Sequence, residues 1–156
     1  MFRWHLANMT SADLKATLEI EQISFRWPWG RISFESELQR QNAFNYVVKS
    51  NNDASLEQVI AYVILRLIVD ELHILKIAVK PAWRGQGIAT WLLEQCFKLG
   101  RERGAESIRL EVRTSNIPAV GLYQKLSFKV IAKRPRYYTD TKEDALVMMK
   151  NLKEDI

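Results

Sequence analysis

Cysteine is nearly absent from this 156-residue chain. Its one thiol, Cys96, cannot form an intramolecular disulfide, and a Cys-rich zinc site is excluded. Only four prolines and six glycines occur, and no Pro- or Gly-rich linker, repeat or compositional break divides the chain. Residues 1–156 are therefore expected to form a single domain, long enough to bury a core without staples. Long apolar runs are also missing. The longest, Val59 to Leu65, stops at Arg66, far short of the roughly 20 residues of a membrane helix. The opening Met1-Phe2-Arg3-Trp4-His5 has no apolar h-region of a secretory signal, so a soluble, cytoplasmic chain with no membrane partner is expected. No block of five or more basic residues occurs, although 23 basic against 18 acidic residues give a net charge of +5. That balance suits nucleic acid, an acidic peptide or a phosphorylated cofactor, or serves only solubility.

What is present is patterned. Apolar residues at 47% and charged residues at 26% are those of a soluble globular chain. Residues 2–7 predict a short first strand. Ser11 is expected to cap a helix with Leu14, Leu18, Ile20 and Ile23 at roughly helical spacing, broken by Trp27-Pro28-Trp29-Gly30. A second short helix is expected after Ser33, through Phe34 and Leu38 toward Gln41. Phe44–Lys49, Gln58–Val69 and Leu72–Lys80 read as a three-strand meander, with Asn51-Asn52-Asp53 and Asp70-Glu71 between them. Ile88, Leu92, Cys96 and Leu99, with Ala89, Leu93 and Phe97, give a wide apolar helix face to about Arg103, and Gly104 ends it. Ser107–Arg113 predicts a strand, Pro118–Leu126 a helix, and Phe128–Lys133 and Ala145–Lys150 two more strands. The order β-α-α-β-β-β-α-β-α-β-β contains a crossover unit and so at least one parallel pair. It implies an α/β or α+β fold with a mixed sheet and helices on both faces.

Arg84-Gly85-Gln86-Gly87-Ile88-Ala89 lies between a strand and a helix start, where unpartnered amides and the helix dipole favour an anion. A pyrophosphate is the natural guest. The Gly-Lys-Ser/Thr of a Walker loop is absent, and a dinucleotide fingerprint would need Gly or Ala where Thr90 stands. An arginine/glutamine-x-x-Gly-x-Gly/Ala loop that binds acyl-CoA is matched by Arg84, Gly87 and Ala89. An ordinary βα turn is the alternative.

Other segments extend the match: Ile20-Glu21-Gln22 leading to Trp27-Pro28-Trp29, Ile77-Ala78-Val79 before the loop, Leu110-Glu111-Val112-Arg113-Thr114-Ser115-Asn116, Leu122-Tyr123, and Arg136-Tyr137-Tyr138 with Glu143-Asp144-Ala145. With these in one order, the chain resembles the GCN5-related N-acetyltransferase (GNAT) superfamily, and within it the RimI-type branch. Ser127 stands where that family usually has glycine, and Gly121 where alanine is common. The resemblance implies a largely antiparallel sheet of six to seven strands and acetyl-CoA as cosubstrate, with no metal.

It also implies roles. Ile77, Ala78 and Val79 would pair with the pantetheine arm, the Val79 amide donating to the thioester oxygen. Arg84, Gly85, Gln86, Gly87, Ile88, Ala89 and Thr90 would hold the pyrophosphate, and Asn116 would bond the cofactor arm or merely cap a helix. Glu111 would be the general base. Its strand alternates Ile108, Leu110 and Val112 with Arg109, Glu111 and Arg113, a pattern that also fits a solvated salt-bridge face. In a sheet covered on both sides the carboxylate would be partly desolvated, an environment suited to a base. Tyr123 would be the general acid, or an aromatic packed beside Leu122 and Leu126. Trp27, Trp29, Tyr137 and Tyr138 would frame a peptide end; unaided, the tryptophans read as core anchors. His73 reads as an ordinary strand histidine and Cys96 as inert.

An α-amino group (pKa ~7.7–8.0) is partly neutral at pH 7 and lysine (~10.4) rarely is, so one carboxylate suits a protein N-terminus better than free lysine. The expected acceptor is a protein or peptide N-terminus, the alanine of a small-subunit ribosomal protein, with no direct nucleic-acid partner. Two alternatives stand beside it: acetylation of small amines such as polyamines or aminoglycosides, and a non-catalytic, ribosome-associated acyl-CoA-binding module. Basic and aromatic residues interleaved in Lys133-Arg134-Pro135-Arg136-Tyr137-Tyr138 keep the last open.

Overall fold

Runs of β-branched and aromatic residues form seven strands, and four segments of helical period form helices. A computed structural model describes residues 3–51 and 57–153. Phe2 of the expected first strand and the Asn52-Asp53 turn signal lie outside the described residues. In chain order the elements are β1 (Trp4–Asn8), α1 (Leu14–Ser24), α2 (Arg31–Gln39), β2 (Ala43–Ser50), β3 (Val59–Ile68), β4 (Glu71–Val79), α3 (Ile88–Glu102), β5 (Ser107–Arg113), α4 (Ile117–Lys125), β6 (Lys129–Tyr138) and β7 (Glu143–Asn151). Short 3-10 turns at Ser11–Asp13 and Pro81–Trp83 precede α1 and the glycine loop. The strands form a mixed sheet of order β1-β2-β3-β4-β5-β7-β6. The expected parallel pair is β4 with β5; β1–β2, β2–β3, β5–β7 and β6–β7 run antiparallel.

Packing divides the chain into two units, Met1–Arg66 with Lys76–Leu92, and Leu67–Leu75 with Leu93–Ile156. In the first unit Ile60 through Leu65 are fully buried, so the longest apolar run is a strand covered on both faces. Leu14 and Ile20 of α1 and Phe34 of α2 join that core, with the Phe34 and Tyr62 rings edge-on at 5.8 Å. Each such side chain contributes roughly 1.5–3 kcal/mol on burial. In the second unit β5 alternates as its sequence requires, with Ile108, Leu110 and Val112 buried. Phe128 packs against Phe97 at 5.9 Å and Tyr123 at 5.6 Å. Among the described residues no helix is long and apolar enough to cross a membrane.

Several boundaries differ from expectation for local reasons. Thr10, not Ser11, opens the first helical segment, because the Asp13 carboxylate accepts from the Thr10 N–H at 2.9 Å. Extended Gly30 precedes α2, which starts at Arg31 rather than after Ser33. β6 continues past Lys133 to Tyr138 because its partner β7 begins early, at Glu143, and the two pair as far as Tyr138↔Glu143. α3 ends as read: Gly104 has φ +81, and the Ala105 N–H reaches back to the Gly100 carbonyl at 2.8 Å.

Candidate active site

The glycine loop is a backbone construction within the first unit. The Lys80 N–H bonds the Ile60 carbonyl at 2.8 Å, and Pro81 then starts the 3-10 turn that leads to Arg84. Arg84 ties the loop back: its Nε donates to the Val79 carbonyl at 3.0 Å and its Nη2 to Ser24 Oγ at 3.1 Å. Gln86 Oε1 accepts from the Arg3 guanidinium. Gly85 and Gly87 sit at φ +79 and +86, a region that side chains enter with strain, and a Cβ on either would meet open space. The Trp91 N–H donates to the Gly87 carbonyl at 3.0 Å, which makes Gly87 the residue before the first helical turn. The amides of Ile88, Ala89 and Thr90, in the first turn of α3, thus have no acceptor within the helix. This arrangement fits a diphosphate. Before the loop, Ala78 and Val79 are buried and Ile77 half-buried. The ladder of β4 with β5, among the described residues, covers Glu71–Ile74 and does not include Ile77–Val79.

The second unit carries the titratable side chains. Glu111 lies mid-strand opposite Val147 and is half-buried. Arg134 Nη1 is 3.3 Å from its Oε1, and the same carboxylate raises the pKa of the Tyr137 phenol. Tyr123 is only 8% exposed, and burial, with the charge of Tyr138 behind it, pushes the phenol up to about 12. Its ring stands edge-on to Phe128, and its carbonyl accepts the Phe128 N–H at 2.9 Å, so α4's end fixes it twice. Tyr138 is also raised to about 12 by burial, against the opposing pull of Arg113, whose guanidinium lies 3.9 Å from the ring centroid. Arg113 further grips Asp140 at 2.6 and 3.1 Å and Thr141 at 3.1 Å, holding the Asp140 carboxyl below its usual range.

The remaining expected residues fall as follows. Asn116 caps α4, its Oδ1 accepting from Ala119 N–H at 3.3 Å. Trp29 packs on Phe34 at 5.3 Å but is only half-buried, and Trp27 is half exposed under the Arg26 guanidinium, so neither is a buried core anchor. Tyr137 and Tyr138 are neighbours on β6 with ring centroids 5.1 Å apart. Glu111, Tyr123, Tyr137 and Tyr138 thus belong to one unit, and the glycine loop, Trp27 and Trp29 to the other. His73 faces Glu71 at 3.0 Å as a strand histidine, and buried Cys96 has its thiol pushed up to about 12.

Sequence reading missed Arg134 as the partner of Glu111, since strand pairing decides that and one strand's alternation does not reveal it. It also missed Glu21, which is fully buried. A signal was present there: Leu14, Thr17 and Glu21 recur at i, i+3 and i+7 and are all buried in α1.

Residues 14–128 match the model of the acetyltransferase (GNAT) family. The chain belongs to that family. A Bacillus subtilis protein, provisionally named a ribosomal protein bS18-alanine N-acetyltransferase, is 37% identical over 94% of this chain and 95% of its own. The Escherichia coli ribosomal protein bS18-alanine N-acetyltransferase is 33% identical over 92% of this chain and 94% of its own. The crystal structure of that Escherichia coli enzyme superposes with a TM-score of 0.85, covering 96% of this chain and 94% of the other. The crystal structure of Arabidopsis thaliana NAA60 in complex with acetyl-CoA shares the fold at a TM-score of 0.86 and 17% identity, covering 95% of this chain and 99% of its own.

Proposed function

We propose that residues 1–156 act as one catalytic domain that transfers acetyl from acetyl-CoA to a protein's N-terminal α-amino group, the alanine of ribosomal protein bS18. The observation that carries this reading is the end-to-end similarity to the Escherichia coli enzyme of that activity, at 33% identity over 92% of this chain. Such an acceptor would place the reaction in the cytoplasm.

Acetyl-CoA would supply an acetyl group activated as a thioester. Ile88, Ala89 and Thr90 amides, with Gly85, Gln86 and Gly87, would hold its diphosphate, and Arg84 would keep the loop closed on the Val79 carbonyl. Ile77, Ala78 and Val79 would pair with the amide-bearing arm, the Val79 N–H donating to the carbonyl oxygen where negative charge grows. Asn116 is already used as a helix cap through its Oδ1, and its role toward the arm would fall to the amide nitrogen. Glu111 Oε would accept the proton of the incoming amine, directly or through a water. Its ion pair with Arg134 would orient the carboxylate for that purpose.

Tyr123 Oη would face the departing sulfur. With its pKa pushed up to about 12, the phenol stays protonated throughout the working range. A thiol titrates near ~8.5, so such a phenol holds its proton in a hydrogen bond toward the sulfur more readily than it surrenders it. Trp27, Trp29, Tyr137 and Tyr138 would receive the polypeptide end, offering flat apolar surface at low conformational cost.

The test is a mass-spectrometric assay with acetyl-CoA and three kinds of acceptor. A peptide that copies the bS18 N-terminus is expected to gain one acetyl group on its α-nitrogen, while polyamines and aminoglycosides gain none. Acetylation of the amines alone would overturn the acceptor, and acetyl-CoA binding without turnover of any amine would overturn the enzyme reading.

A further inference from the structure

Outside the residues assigned to the reaction, Glu21 is the most deeply buried charged side chain among the described residues, with none of its surface exposed. A carboxylate withdrawn from water persists only where donors replace its hydration. Three segments of the first unit supply them. The Tyr62 phenol on β3 donates to Oε1, and burial followed by Glu21 itself drives that phenol's pKa far up. Lys76 Nζ on β4 donates to Oε2 at 2.8 Å, and the Trp29 backbone N–H donates to the same oxygen at 2.8 Å.

The last bond gives the cluster its consequence. α1 ends at Ser24, where the Phe25 N–H closes on the Glu21 carbonyl at 3.0 Å, and the chain then runs through Trp27-Pro28-Trp29 to Gly30. Glu21 therefore holds both ends of this loop, by its carbonyl at Phe25 and its carboxylate at Trp29. Lys76 adds a second grip: its ammonium lies 3.8 Å from the Phe25 ring centroid and 5.4 Å from that of Trp29. One ion pair thus orients two of the loop's rings and its backbone. Buried ion pairs are poor sources of net stability compared with apolar packing, but their bonds are directional.

We propose that Glu21 is a positioning residue for acceptor binding: its carboxylate, charge-balanced by Lys76, fixes Trp29 and thereby the shape of the loop that receives the polypeptide. This rests on the assignment of Trp27 and Trp29 to the acceptor side. Glu21→Gln removes the charge and keeps an acceptor oxygen. It is expected to raise KM for the peptide about tenfold, the size of one charge-assisted hydrogen bond, with kcat and acetyl-CoA affinity unchanged. Hydrogen exchange of the Trp29 amide should quicken by a similar factor. Lys76→Met, a second way to unbalance the cluster, should shift KM in the same direction and carries the test if Glu21→Gln does not fold. Combining the two substitutions removes both charges and should restore part of the lost affinity.

A folded Glu21→Gln with unchanged Trp29 exchange would overturn the proposal. Faster exchange with an unchanged KM would also overturn it, leaving Glu21 as a core polar group only. Wild-type protein that acetylates a polyamine and no peptide refutes the acceptor reading instead; KM for the polyamine then takes the peptide's place in the same comparison.

Discussion

The two halves of the proposed chemistry are built from different materials. The cofactor cradle is backbone: two glycines at positive φ, three helix-start amides and a loop pinned by Arg84. The other half is side chain: Glu111 paired with Arg134 and acting on the Tyr137 phenol, with Tyr123 held by Phe128. A backbone cradle tolerates substitution of its side chains and fails when a glycine is lost. A side-chain cluster depends on the identity of each member. Substitutions in the two regions should therefore separate binding from turnover.

The largest effect is expected from Glu111→Gln. Loss of a general base costs roughly 10²–10⁴-fold in rate, so kcat should fall within that range while calorimetry returns the wild-type acetyl-CoA affinity. An equal loss of cofactor affinity would break the division. Tyr123→Phe is expected to slow turnover by about 10², the loss of one charge-assisted hydrogen bond to the departing sulfur, with the fold retained because the ring still packs on Phe128. Gly87→Ala attacks the other region. A Cβ at φ +86 costs ~1–2 kcal/mol of strain, so acetyl-CoA should bind about tenfold more weakly while kcat at saturation is kept.

Sequence alone carried the first region well and the second poorly, for a physical reason. Gly85, Gly87 and the apolar period of Ile88, Leu92 and Cys96 are local signals, since turns, caps and helix faces depend on neighbours in the chain. Element order and the parallel β4–β5 pair followed from the same signals. The partners of Glu111 depend on how β5, β7 and β6 are registered, with Glu111 opposite Val147 and Ala132 opposite the same Val147 from the other side. No periodicity within β5 contains that information. Trp27 misled for a related reason: composition marks a tryptophan as core, whereas its loop leaves it half exposed.

Smaller effects sharpen the contrast. Burial pushes the Tyr123 and Tyr138 phenols up to about 12 in the folded protein, against ~10 for an unperturbed tyrosine. Their protonated forms favour the folded state, so this stability is complete below pH ~10 and is lost as pH rises through about 12. Phenolate absorbance should show delayed titration in the native protein, with one late phenol missing in Tyr123→Phe. Complete titration at pH ~10 by a still folded protein would contradict the burial of both rings. The smallest effect concerns Ser127, which sits at φ +74 just after α4. Ser127→Gly should relieve that strain and raise stability by about 1 kcal/mol in denaturant unfolding, with turnover unchanged.

The most direct measurement is calorimetric titration of the protein with acetyl-CoA and, in parallel, with acetyl-pantetheine, which keeps the thioester arm but lacks the diphosphate. Tight binding of the first and a loss of at least about a hundredfold for the second is the expected result, since the helix-start amides would then have no anion to hold. Equal affinity for both would contradict the account, because a cradle that is indifferent to the diphosphate is not a cradle for it.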